Sequence, residues 1–61
     1  MGNKSRKLLI ECKLICLEMK MDNYITIARL SSSKEEINEA VNRFQECYKR
    51  HTDLFYELLD I

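Results

Sequence analysis

The sequence predicts an all-α protein, an antiparallel hairpin of two helices. Three observations carry that expectation. The 61 residues include one Gly and no Pro, so the chain has almost none of the turn chemistry that separates strands. Apolar residues recur at spacings of three and four through two long stretches, which is the period of a helix face. A single run of serines, Ser31 to Ser33, divides those stretches. Hydrophobic residues make up 46% of the chain and charged residues 33%, a balance that suits a folded core better than a disordered tail. A chain this short forms one domain, here residues 1–61, and a lone copy buries too little surface to be more than marginally stable.

The first helix is expected from about Ser5 to Leu30. At about 100° per residue, Glu11, Glu18 and Asp22 fall on one ridge, and Lys13 and Lys20 on the opposite one. Two apolar faces lie between the ridges. One carries Leu8, Leu9, Cys12, Ile15, Cys16, Met19, Ile27 and Leu30. The other carries Ile10, Leu14, Leu17, Met21, Tyr24, Ile25 and Ala28. One partner helix covers one face, and an apolar face left over marks a contact with another chain. Ile10, Leu14, Leu17, Met21 and Ile25 are assigned to that dimer or partner contact. Homodimerisation into a four-helix bundle is the expected way to cover it. Met21 to Tyr24, "MDNY", is a possible break, because Asp22 or Asn23 can cap a short middle helix. A continuous or merely kinked helix is the favoured reading.

The turn is expected at residues 31–33. Ser33 and Glu36 form a Ser-x-x-Glu capping box, and Glu35, Glu36 and Glu39 put negative charge on the positive end of the next helix. That helix is expected from about Lys34 to Asp60. Ile37, Val41, Phe44, Tyr48, His51, Phe55 and Leu58 alternate spacings of four and three, a heptad seam. Ala40, Cys47, Leu54 and Ile61 widen it on one side. Charge agrees with the antiparallel topology. Lys4, Arg6 and Lys7 start the first helix, and Asp53, Glu57 and Asp60 end the second, each unfavourable to its own helix dipole. Folding about Ser32 brings the two clusters together.

Ten basic and ten acidic residues cancel, so there is no basic face of the kind nucleic acid requires. No apolar run approaches the ~20 residues that span a bilayer, and no secretory signal is visible. The start "MGNKSR" places Arg6 where a myristoylation signal needs a hydroxyl residue, and is read as an ordinary amino terminus. Three cysteines without a signal fit a reducing cytoplasm. No motif calls for a cofactor.

Candidate chemistry is sparse. Cys12 and Cys16, one turn apart, would face His51 and Cys47 in a hairpin turning at Ser32. Three thiolates and an imidazole form a known structural zinc set, and Cys16 with Cys47 would suit a disulfide. Core packing of these four residues is the favoured alternative, since free Cys is among the most buried residue types. No residue is assigned a catalytic role.

Two resemblances bear on function. The stretch "EINEAVNRFQ", Glu36 to Gln45, resembles the second helix of the small sporulation aspartyl-phosphate phosphatases of bacilli, the stage-zero E type. Glu36, Ile37, Val41, Asn42, Phe44 and Gln45 keep that family's pattern. Lys34 stands at its Ser and Asn38 at its acidic residue. The resemblance implies a helical hairpin that removes phosphate from a response regulator. A carboxamide at position 38 lacks the charge and acid–base capacity of Asp but can still hydrogen-bond, so the resemblance leaves open an aspartyl-phosphate phosphatase and a degenerate relative that binds without turnover. The stretch "LLIECKLICLEMKMD", Leu8 to Asp22, is similar to the opening helix of the small sporulation histidine-kinase inhibitors of the Sda type. Neither resemblance covers the whole chain. Both imply a small helical regulator docking on a response regulator or a histidine kinase, with Lys34, Glu35, Asn38 and Asn42 as polar partner contacts. The alternatives are a non-catalytic interaction or kinase-inhibitor module, and a zinc- or disulfide-stapled structural hairpin.

Overall fold

A computed structural model describes residues 2–61. Two helices make up almost all of it: α1, Gly2–Leu30, and α2, Lys34–Leu59, joined by Ser31 to Ser33. The two pack against each other, so the expected all-α hairpin is the fold. α1 begins at Gly2 rather than near Ser5, and α2 ends at Leu59. No break occurs at "MDNY". Thr26 Oγ1 donates to the Asp22 carbonyl at 3.0 Å, so Asp22 is spanned from within a continuous helix instead of capping a new one.

The chain reverses without glycine, and among the described residues no non-Gly residue has positive φ. The turn is made by serine hydroxyls instead. Ser33 is extended, at φ −89 and ψ 125, and its side chain accepts from the Glu36 N–H at 3.4 Å. In a reciprocal capping box the Glu36 carboxylate would return to the Ser33 N–H. Here it accepts from Ser31 Oγ at 3.1 Å, while the Ser33 N–H donates to that same oxygen at 3.2 Å. The box therefore closes through Ser31. Arg29 in the last turn of α1 and Glu35 and Glu36 in the first turn of α2 complement the two helix dipoles beside the turn.

Between the helices lie two rows with alternating spacings of three and four. Ile10, Leu14 and Leu17 of α1 are buried, and Met21, Tyr24 and Ala28 continue the row half-buried. On α2 the row is Ile37, Ala40, Phe44, Cys47, His51, Leu54 and Leu58, with Ala40 buried and the rest half-buried. This corrects the expected α2 seam. Val41, Tyr48 and Phe55 are 41%, 59% and 46% exposed and form its outer flank. The smaller Ala40 and Cys47 take the inward positions, where short side chains let two helices approach closely.

The hairpin is a rod of 49 × 14 × 10 Å with a radius of gyration of 14.3 Å. A globular chain of this length would have about 10.5 Å. It exposes 5233 Å², whereas a folded monomer of its mass exposes about 4,200 Å². The excess of roughly 1,000 Å² comes from having only two layers.

Candidate functional site

α1 has apolar side chains on two opposite sides and therefore almost no net amphipathicity, while α2 is strongly amphipathic. The side of α1 turned inward is the row Ile10, Leu14, Leu17, Met21. That corrects the assignment of these residues to a dimer or partner contact: they are the intramolecular seam. Ile25 lies at its edge, 38% exposed. The physical reason is in the two rows themselves. The inner row runs from Ile10 to Ala28 with no charged or amide side chain, whereas the outer row includes Asn23 and Thr26. Sealing an amide in the seam without a partner would cost free energy, so the uninterrupted row goes inside.

The outer side carries Leu8, Leu9, Ile15, Met19 and Leu30, from 56% to 82% exposed, with Ile27 at its margin. Cys12 and Cys16 are exposed on it as well. An apolar strip thus runs along α1 from Leu8 to Leu30, about 33 Å at 1.5 Å per residue, on the side facing away from the seam. It is a candidate contact surface. A second apolar flank lies on α2 around Tyr48, Phe55 and Tyr56, where Phe44 and Tyr48 stack with ring centroids 6.3 Å apart.

This orientation of α1 also dismantles the predicted metal set. Cys12 and Cys16 are on the outer side, while Cys47 and His51 belong to the seam of α2. Among the described residues no three potential ligands gather to hold a metal ion. All three cysteines are free, including Cys16 and Cys47. His51 has a different partner, one missed from the sequence: its Nε2 lies 2.9 Å from Glu18 Oε2. The pair bridges the helices at the edge of the seam. Its signal was the placement of Glu18 on a ridge beside the inner row, one that is legible only once that row is known to face α2.

The expected meeting of misplaced charges does occur. Arg6 pairs with Glu57 at 3.0 Å, with the two side chains 57% and 44% exposed, so the pair fixes the register of the open end more than it stabilises it. Beside the seam, an open groove of about 520 Å³ is lined by Cys12, Cys16, Lys13 and Lys20 of α1 and by Arg50 and Asp53 of α2. The residues expected to contact a partner, Lys34, Glu35, Asn38 and Asn42, are all exposed. Lys34, Asn38 and Asn42 recur every fourth residue and form a polar stripe on the part of α2 away from α1. No helix among the described residues is long and apolar enough to cross a membrane.

Compared with protein-family models, with curated proteins and with solved structures, the chain matches none of them.

Proposed function

We propose that this protein is a small helical regulator that acts by laying helix faces against another protein, with a response regulator or histidine kinase as the partner class. The observation that carries the docking reading is the double-sided α1, whose outer apolar strip the hairpin leaves uncovered. The partner class rests on the resemblance of Glu36 to Gln45 and of Leu8 to Asp22 to phosphorelay regulators. The polar stripe of Lys34, Asn38 and Asn42, with Glu35 beside it, supplies the directional contacts in this reading. Asn38 favours binding over phosphate removal, since a carboxamide cannot exchange a proton as a carboxylic acid does.

The assay mixes the protein with a phosphorylated response regulator and, separately, with its autophosphorylating kinase. The binding reading expects effects that saturate at one chain, or one assembled unit, per target. Loss of phosphate at substoichiometric amounts would replace it with an enzymatic role. No effect on either target at excess protein would overturn the phosphorelay assignment.

A further inference from the structure

We infer that the outer face of α1 is covered by α1 of a second copy of this chain, lying parallel and in register. The inference rests on the reading of that face as a docking surface and names its occupant. Three features converge on it.

The first is area. The hairpin exposes 5233 Å², roughly 1,000 Å² more than a folded monomer of its mass. One partner in a standard protein–protein interface contributes about 800 Å². The surplus is thus of the size that one copy brings to a stable dimer. On α1 the exposed apolar side chains Leu8, Leu9, Ile15, Met19 and Leu30 lie on the side away from the seam, where a second α1 can reach them.

The second is the order of residues along the strip. Leu9, Cys12, Cys16, Met19, Asn23, Thr26 and Leu30 follow one another at spacings of three and four, the a/d row of a coiled coil. Asn23 falls at an a position, in the row with Leu9, Cys16 and Leu30. A single asparagine at such a position selects the parallel, in-register pairing, because there each amide meets its own counterpart across the two-fold axis. In an antiparallel pairing that overlaps most of the strip, Asn23 would be set against Cys12 or Met19, neither of which is a good hydrogen-bond partner for an amide.

The third is charge. Glu11, Glu18 and Asp22 line one margin of the strip, and Lys13 and Lys20 line the other. In a parallel pair with a two-fold axis the flanking contacts join Leu8 to Lys13, Ile15 to Lys20 and Asp22 to Ile27 of the other copy, so no like charges meet. The acidic side of each copy, with Glu11 a position further out, is turned toward the basic side of the other. An antiparallel pair would set like margins together. Lys20 of one copy comes opposite Ile15 of the other, whose outer neighbour Glu11 is the nearest acidic group not already paired, since Glu18 meets His51 of its own α2. Lys4 and Arg29 interrupt the acidic margin only near its ends. Charges and asparagine therefore choose the same orientation.

Parallel pairing places Cys12, at a d position of that row, against its own counterpart. The test uses two full-length single-cysteine variants, Cys16→Ser/Cys47→Ser, which retains Cys12, and Cys12→Ser/Cys16→Ser, which retains Cys47. Each is treated with diamide, which takes two electrons and two protons from a pair of thiols and leaves the disulfide. The expected result is a disulfide-linked dimer for the Cys12 variant, formed at least about 10-fold faster than for the Cys47 variant. Equal rates in the two, or no cross-link through Cys12, would overturn the pairing. Unsubstituted protein oxidised in the same way and mapped by peptide mass provides the reading should a variant lose its helical circular dichroism. There, Cys12–Cys12 and Cys16–Cys16 linkages are expected between chains, and Cys47 linkages in their place would refute the inference. A dimer that fails in the phosphorelay assay would leave this inference standing, and a monomer active in that assay would remove it alone.

Discussion

Replacing Leu14 with Ala tests the orientation of α1 at its centre. Leu14 is 7% exposed, and its neighbours in the row, Ile10 and Leu17, are 4% and 7% exposed. Only Ala40 joins them as a buried apolar residue among those described. Truncating a buried leucine to alanine costs about 2–5 kcal/mol, with the larger values where the site cannot collapse. Two rigid helices flank this site, but it lies in a two-layer rod with solvent close by, so a value near the low end, about 2–3 kcal/mol, is expected. A domain of this length has a total stability of roughly 3–9 kcal/mol. The substitution therefore removes about a fifth of it at the least, and most of it if the total is near the low end. Urea unfolding followed by helical circular dichroism, at one protein concentration for both proteins, reads this as a fall of about 2–3 M in the midpoint, given a slope near 1 kcal/mol/M. A change below about 0.5 kcal/mol would refute the inward placement of Leu14 and return the seam to the side of Cys12 and Cys16.

Other substitutions probe the remaining contacts by the same unfolding measurement. Ser33→Ala removes the acceptor for the Glu36 N–H and is expected to cost about 1 kcal/mol, with Ser33→Gly costing only a few tenths; equal costs would show that the hydroxyl is not the cap. Ser31→Ala removes the oxygen that joins Glu36 to the Ser33 N–H, and a double-mutant cycle with Glu36→Gln should show coupling, whereas additive effects would exclude the relay. For Glu18 and His51, 2.9 Å apart with Glu18 58% exposed, the cycle should give less than about 1 kcal/mol, and a larger coupling would mean that the pair is more shielded than its exposure indicates. Arg6→Ala should change stability by less than about 0.5 kcal/mol despite its 3.0 Å contact with Glu57, because both groups are solvated.

How much was legible in the sequence depends on the kind of signal. The turn was, because Ser33 and Glu36 are a local code read within four residues. The hairpin topology was, because Arg6 and Glu57 each sat at the wrong end of a helix dipole and had a common remedy. The two faces of α1 were legible as faces, but not which of them turns inward. Ile10, Leu14 and Leu17 on one side and Leu9, Ile15 and Met19 on the other carry similar amounts of hydrocarbon, so apolar content alone does not decide. What distinguishes them is the cost of enclosing Asn23 and Thr26. On α2, Ile37, Phe44, His51 and Leu58 belong to either candidate seam. A small rotation of the helix exchanges Val41, Tyr48 and Phe55 for Ala40, Cys47 and Leu54, and the choice rests on how closely the helices approach. The metal set fell with the orientation of α1, since spacing places Cys12 and Cys16 on one face but does not say which face.

The central claim is that α1 is a two-sided helix whose inner side makes the hairpin and whose outer side belongs to another chain. Sedimentation equilibrium of the unsubstituted protein over a range of concentrations, under reducing conditions, tests it most directly. The account predicts twice the 7.3 kDa chain mass at high concentration, with helicity falling as dilution separates the copies. A single-chain mass at every concentration, with full helicity retained, would contradict it.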